Sequence, residues 1–113
     1  MANVRTIGMR KIAVTVVTAG TQVPISATPL FVTDFEVFPL NSNAGANMYV
    51  GDSTVDNTWI PRPKNFPVNF VHGHGALDGD GDVLGFDLSK IYLDSDANGD
   101  VAVVQYFAFD NAS

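Results

Sequence analysis

The chain has 113 residues, of which six are basic and twelve are acidic, so its formal net charge at pH 7 is −6. Hydrophobic residues make up 46% of the sequence and charged residues 16%, and there is no cysteine. The length suits one domain of ordinary size. The lack of cysteine excludes disulfides, thiolate metal sites and cysteine nucleophiles.

The charge is distributed unevenly along the chain. The part up to Lys64 carries a net charge of +1, and the part from Asn65 onward carries −7. Proteins bind nucleic acids mainly by neutralising phosphates, and this sequence has no basic stripe that would do so. No apolar run approaches the ~20 residues that span a bilayer. We therefore expect neither a nucleic acid nor a membrane as partner.

Alternating apolar patterns predict strands throughout the first half of the chain. Residues 11–18 are rich in β-branched side chains, and every second one is apolar. Residues 22–26 predict a short edge strand, because Pro24 cannot donate a hydrogen bond to a neighbouring strand. Residues 31–38 alternate between apolar side chains and the acidic Asp34 and Glu36, which is typical of a strand with one wet face.

The second half continues this pattern with more turn residues. A short strand is expected at residues 48–50, and the proline-rich residues 53–67 predict a surface excursion. Further strands are expected over residues 66–71 and 86–93. Residues 101–109 are apolar on both faces, so this last strand is expected to be central in a sheet or covered by a partner.

Seven or eight short strands in this length predict an all-β fold, either a β-sandwich or a jelly roll. A partly open β-barrel is the alternative architecture. We expect a flexible N-terminal arm over residues 1–9 and a single β-sandwich domain over residues 10–113. A loop insertion is expected within that domain at about residues 53–85.

One segment resembles a calcium-binding loop. Residues 94–100 read D-S-D-A-N-G-D, which matches the opening D-x-D-x-N-G of that motif. The candidate ligands are Asp94, Asp96, Asn98 and Asp100. The motif also requires a glutamate six residues after the glycine, where this chain has Gln105. The simpler interpretation is a hairpin in which Asn98-Gly99 joins residues 91–93 to residues 101–109, with calcium as an added ligand.

A second acidic segment follows a pair of histidines. Asp78, Asp80 and Asp82 have a spacing that suits a calcium ion, which would relieve their mutual repulsion. A solvated turn is the alternative, because Asp and Gly both favour turns. His72 and His74 would need a further ligand such as Asp78 to hold a zinc or nickel ion, because a zinc site has three or four protein ligands. A pair of polar surface histidines is the simpler interpretation. We expect no cofactor, with a structural calcium ion as the alternative.

The sequence does not predict an enzyme. Hydrolytic catalysis needs a nucleophile, a base and an orienting acid that converge, and no serine lies in a strand–turn–helix elbow. Trp59 could form a sugar-binding platform with three other aromatic residues, although packing in the core or an interface explains these residues as well. The three others are Tyr49, Phe66 and Phe70.

Four stretches resemble, in their order along the chain, small β-rich phage head decoration (cement) proteins and related minor virion structural proteins. They are residues 13–26 (A-V-T-V-V-T-A-G-T-Q-V-P-I-S), 47–55 (N-M-Y-V-G-D-S-T-V), 87–94 (D-L-S-K-I-Y-L-D) and 99–106 (G-D-V-A-V-V-Q-Y). The chain departs from that group between Thr58 and Leu84, where it has a longer segment. What this segment does is not implied by the resemblance.

The resemblance implies a protein that binds the outside of an assembled capsid and stiffens it, often as a homotrimer. Its partner would be the major capsid protein, and its location the capsid surface of a virion assembled in the host cytoplasm. The basic N-terminal end and the longer segment are the expected partner contacts. These candidate residues are Arg5, Arg10, Trp59, Pro61, Arg62 and Pro63. The alternative function is a carbohydrate- or receptor-binding β-sandwich module of a tail fibre or secreted protein.

Overall fold

Strands account for all regular secondary structure in the part of the chain that the structure describes. This computed structural model describes residues 6–71 and 85–110, with side chains over residues 8–71 and 85–107. The described residues contain no helix long and apolar enough to cross a membrane. The strands are β1 (Thr6–Val16), β2 (Val23–Pro24), β3 (Phe31–Val32), β4 (Asp34–Pro39), β5 (Asn47–Gly51), β6 (Arg62–Pro63), β7 (Val68–Val71), β8 (Phe86–Asp87), β9 (Tyr92–Ser95) and β10 (Asp100–Asp110).

The first sheet has the strand order β1-β10-β4-β7, and its neighbouring strands are antiparallel. The prediction that the last strand is central is confirmed, because β10 lies between β1 and β4. Its register places Lys11 of β1, Gln105 of β10, Glu36 of β4 and Asn69 of β7 in one row across the sheet.

The second sheet has the strand order β2-β9-β5-β6, and β3 and β8 form a separate two-stranded sheet. The predicted edge strand is confirmed, since β2 lies at the end of this order and contains Pro24. The expected loop insertion contributes to both sheets. Within it, β6 pairs with β5, and β7 pairs with β4 of the first sheet.

Apolar side chains from alternate strand positions form the core of the protein. Phe35 and Val37 of β4 are buried, as the alternation predicts, whereas Asp34 and Glu36 are half-buried. Fully burying one such aliphatic or aromatic side chain stabilises a fold by roughly 1.5–3 kcal/mol. The fold is therefore all-β, as predicted, with several antiparallel sheets and no closed barrel, and is consistent with a small β-sandwich.

The predicted hairpin at Asn98-Gly99 is wrong. The strands on either side of it, β9 and β10, lie in different sheets. Gly99 has a φ of +80°, which is the left-handed conformation that Asn-Gly sequences favour, and its N–H donates to the Val16 carbonyl over 2.8 Å. The sequence therefore predicts the turn itself. This turn passes the chain from one sheet to the other, because β10 pairs with β1 over eleven residues.

The single strand expected over residues 86–93 is divided between two sheets. Asp87 holds the turn that separates β8 from β9: its carboxylate accepts hydrogen bonds from the Ser89 hydroxyl over 2.7 Å and from the Ser89 N–H over 3.0 Å. The bond from the hydroxyl is the main reason that the pKa of Asp87 is lowered. Leu88 is fully buried in this turn, so the chain changes sheets without leaving the core.

A flexible N-terminal arm is expected over residues 1–9, of which residues 1–5 lie outside the described part of the chain. Residues Thr6 to Met9 belong to β1, where they pair with Phe107 to Asp110 of β10. The pairing of β10 with β4 ends at Tyr106, opposite Phe35. These two four-residue segments therefore extend beyond the part of β10 that pairs with β4.

Candidate functional site

A cavity of about 280 Å³ is lined by two of the residues that the sequence indicates as partner contacts, Trp59 and Arg62. Its lining comes from both four-stranded sheets and from β8, and it is mostly apolar. The residues that line it are Phe35, Val50, Gly51, Trp59, Ile60, Arg62, Phe70, Phe86 and Ile91. We call this space the aromatic cavity.

Three phenylalanines build one wall of the aromatic cavity. The rings of Phe35 and Phe70 are stacked, with centroids 4.8 Å apart and an interplanar angle of 13°. Phe86 meets Phe35 edge to face, at 5.1 Å and 84°. Aromatic pairs at such distances stabilise a structure by about 0.5–1.5 kcal/mol beyond the area that they bury. These contacts therefore hold the three rings of this wall in position.

Trp59 forms another part of the cavity wall, and a local turn positions it. The Asp56 carboxylate accepts a hydrogen bond from the Thr58 N–H over 2.9 Å, and the Trp59 N–H donates to the Asp56 carbonyl over 3.2 Å. The pKa of Asp56 is lowered, mainly by the hydrogen bond from the Thr58 hydroxyl. The indole ring lies on Gly51, where a β-carbon would come within 2.5 Å of it. Trp59 remains 38% exposed.

Among the described residues that line the aromatic cavity, only Arg62 is charged. Its guanidinium carbon lies 5.5 Å from the centre of the Phe70 ring, which is within the range of a cation–π interaction. The Nε atom of Arg62 is buried and has no hydrogen-bond partner in residues 6–71 and 85–110. A buried donor without an acceptor costs free energy, so such a group in a cavity wall is a place to look for a ligand.

The other expected partner contacts are not assembled around this cavity. Pro61 and Pro63 are exposed on either side of Arg62, and Arg10 lies on β1 in the first sheet. Arg5 lies outside the described residues. The sugar-binding platform is also not formed, because Tyr49 is buried and its hydroxyl donates to the Asp96 carboxylate over 2.6 Å.

The candidate calcium ligands accept hydrogen bonds from three separate parts of the chain, residues 19–20, residues 44–45 and Tyr49. The Asp94 carboxylate accepts from the Gly20 N–H over 2.9 Å, and the Asn98 amide oxygen accepts from the Ala19 N–H over 2.8 Å. Asp96 accepts from Tyr49, and this bond is the main cause that raises the pKa of Tyr49 to about 12.

Asp100 fastens the polar loop before β5. It is buried, and its carboxylate accepts hydrogen bonds from the backbone of Ala44 over 3.0 Å and of Gly45 over 3.2 Å. A β-carbon on Gly45 would lie 2.6 Å from an oxygen of this carboxylate, so the close approach depends on glycine. Asn43 also holds this loop, because its side chain bonds to both the N–H and the carbonyl of Val101.

The acidic motif at residues 94–100 thus connects loops in this structure. Asp94 and Asp96 line a cavity of about 290 Å³ with Asp56. However, within residues 6–71 and 85–110 no group of three or more His, Cys, Asp or Glu side chains is arranged to hold a metal ion. The other candidate metal ligands, Asp78, Asp80 and Asp82, lie outside the described residues, as do His72 and His74.

Several described serines have structural roles. The hydroxyl of Ser26 donates to the Thr28 carbonyl over 2.6 Å, and that of Ser95 donates to the Ala97 carbonyl over 2.7 Å. Ser89 donates to Asp87, as described above. Each of these hydroxyls stabilises a local turn.

A second surface feature lies on the outer face of the first sheet. Met9 is 65% exposed and Phe107 is 51% exposed, and the two residues face each other in the register of β1 and β10. With Val71, they surround a groove of about 290 Å³ that also contains Asp34 and Glu36. One carboxylate oxygen of Asp34, Oδ1, is buried and has no hydrogen-bond partner in the part of the chain that the structure describes. We call this feature the outer groove.

Sequence reasoning missed most of these residues. The aromatic cavity depends on Phe35, Phe70 and Phe86, which come from three strands far apart in the sequence, and no spacing rule connects them. The sequence indicates one part of the outer groove, because the apolar residues on both faces of the last strand predict that it is central in a sheet or covered by a partner. The chain matches no family model, no curated protein and no solved structure.

Proposed function

We propose that this chain is a non-catalytic capsid decoration protein, which binds the outer surface of an assembled phage head and stabilises it. Its partner would be the major capsid protein, and it would act on the virion surface as a homotrimer. The ordered sequence stretches that resemble such proteins support the proposal. The outer groove is the structural observation that carries it.

The outer groove has the composition of a protein-binding surface. Large apolar side chains that are exposed together mark interaction sites more often than single exposed ones do. Met9, Phe107 and Val71 form such a group around two acidic residues. Because Asp34 and Glu36 line the groove, it suits an apolar partner surface that also presents a lysine or arginine donor.

The free edge of β1 offers a second mode of contact. In the described part of the chain, this eleven-residue strand pairs with β10 alone. An extended segment of a partner can add to such an edge through backbone hydrogen bonds. Lys11 lies at the centre of β1, so an antiparallel second copy in full register would place two lysines opposite each other, which is unfavourable. The edge is better suited to a partner strand with acidic side chains.

The test is to mix the purified protein with undecorated heads and to count the copies bound per particle. We expect saturable binding, and three copies joined in a trimer would strengthen it through avidity. Phe107→Asp should abolish binding, because it places a charge in the outer groove. The matched control is Phe31→Asp, which changes an exposed phenylalanine on β3 in the separate small sheet.

Two results would overturn the proposal. One is the absence of binding at about 10 µM protein, a concentration at which even a weak specific complex forms. The other is equal loss of binding in Phe107→Asp and Phe31→Asp, which would show that the outer groove has no special part. Analytical ultracentrifugation of the free protein tests the trimer separately.

A further inference from the structure

We propose that the aromatic cavity binds a small apolar carboxylic acid, with Arg62 as the group that recognises its carboxylate. This inference concerns a different site from the outer groove, and it does not depend on capsid binding. The chemical class is an aryl or alkyl carboxylate with an apolar body the size of a phenyl group.

The size and lining of the cavity define the apolar part of this ligand. A volume of about 280 Å³ corresponds to roughly nine water molecules at their share of liquid volume. Ligand pockets in proteins are mainly apolar and carry a few polar groups that fix orientation. Here Phe35, Phe70 and Phe86 supply flat aromatic surfaces, so a planar ring or a short alkyl chain fits this lining.

Arg62 defines the polar part of the ligand. Its Nε–H has no acceptor among the described residues, and the guanidinium group carries the only charge among the described residues that line the cavity. A carboxylate matches a guanidinium because it can accept two parallel N–H bonds, and such charge-assisted bonds are stronger than neutral ones. A neutral or cationic ligand would leave this donor unsatisfied or would be repelled by the charge.

The position of Arg62 is fixed by the fold. Arg62 lies in β6, where it pairs with Met48 of β5. Its guanidinium group lies over Phe70 of β7, a strand of the other sheet. The cation–π contact holds the charged group against the aromatic wall. A ligand carboxylate bound to Arg62 would therefore hold the apolar body of the ligand beside the same wall.

Trp59 makes the proposal directly measurable, because it is the only tryptophan in the chain and it lines the cavity. We would titrate the protein with 3-phenylpropionate and follow the intrinsic tryptophan fluorescence. We expect a saturable change in emission. The matched probe is 3-phenylpropanamide, which has the same apolar body without the charge and should bind about 10- to 100-fold more weakly.

Two variants test the role of the guanidinium. Arg62→Met retains a long apolar side chain and removes the charge, so we expect it to lose most of the preference for the acid over the amide. Lys11→Gln removes one positive charge from the first sheet, away from the cavity, and should bind the acid as the unaltered protein does. Melting curves establish that both variants are folded.

An NMR measurement avoids any dependence on the stability of the variants. In the unaltered protein labelled with ¹⁵N, the Arg62 Nε–H signal should shift on addition of 3-phenylpropionate and not on addition of the amide. The proposal is overturned if no saturable change occurs, if acid and amide bind equally, or if Arg62→Met keeps the full preference for the acid. A response to simple sugars in place of the acid would also overturn it.

Discussion

The indole ring of Trp59 lies on the backbone of Gly51, so closely that a β-carbon at position 51 would come within 2.5 Å of the ring atom Cζ3. This contact connects the end of β5 to the proline-rich segment that follows it. It gives the aromatic cavity one of its walls, and it depends on the absence of a side chain at a single position.

Gly51→Ala should therefore displace Trp59. Inserting a methyl group into such a contact typically costs about 1–3 kcal/mol, and we expect the free energy of unfolding in urea to fall by that amount. The tryptophan emission should also move to longer wavelength as the ring becomes more exposed. Gly20→Asn is the control, because Gly20 has open space around it and asparagine tolerates its positive φ. An unchanged emission spectrum in Gly51→Ala would contradict the contact.

The Asp100 carboxylate should be a major stabilising group. Asp100→Ala removes the acceptor for the Ala44 and Gly45 N–H groups, and we expect a loss of about 2–3 kcal/mol in the free energy of unfolding. Asp100→Asn keeps one oxygen acceptor and should lose less. The measurement is urea denaturation of the three proteins. Equal stability of Asp100→Ala and the unaltered protein would show that the loop is not fastened here.

Tyr49 should make the protein sensitive to alkaline pH. Its hydrogen bond to Asp96, with the added effect of burial, raises the pKa of the Tyr49 hydroxyl in the folded protein from 10.0 to about 12. The folded state thus holds the phenolic proton more tightly than the unfolded chain does, and this contribution to stability is complete below pH 10. It decreases as the pH rises from 10 towards 12, because the unfolded chain then gains from deprotonation.

Tyr49→Phe provides the comparison for this alkaline effect. The variant should be less stable at pH 7, by about 1–2 kcal/mol, because it loses a hydrogen bond to a carboxylate. The difference in stability between the two proteins should become smaller between pH 10 and 12. Thermal unfolding at several pH values measures it, and a difference that does not change with pH would contradict the prediction.

Calcium should leave the loop at residues 94–100 unaffected. One oxygen each of Asp94 and Asp96 and both oxygens of Asp100 already accept hydrogen bonds from the protein, so a cation would have to compete with these donors. We expect the same melting temperature in EDTA and in a calcium buffer. If calcium bound and were present at 100 times its Kd, it would add about 2.7 kcal/mol to the free energy of unfolding. The Tm would then rise by several degrees.

A rise in Tm with calcium would require a second measurement to locate the ion. If Asp96→Asn abolished the rise, the loop at residues 94–100 would be the site, contrary to this prediction. If Asp80→Asn abolished it and Asp96→Asn did not, the ion would bind at the other acidic segment.

The sequence by itself determined the all-β class, the edge position of β2 and the central position of β10. These properties follow from local rules, since Pro24 cannot donate to a neighbouring strand and a strand that is apolar on both faces is typical of the middle of a sheet. The turn residues were also recognisable, and Gly99 has the backbone conformation that its sequence favours.

Only the tertiary structure decided which strands are partners. Asn98-Gly99 passes the chain from one sheet to the other, and the acidic residues of the calcium-like motif accept hydrogen bonds from distant loops. The aromatic cavity joins Trp59 and Arg62 to phenylalanines of three other strands. The physical reason is the same in each case: local patterns fix the conformation of a segment, whereas contacts between distant segments depend on how the two sheets pack against each other.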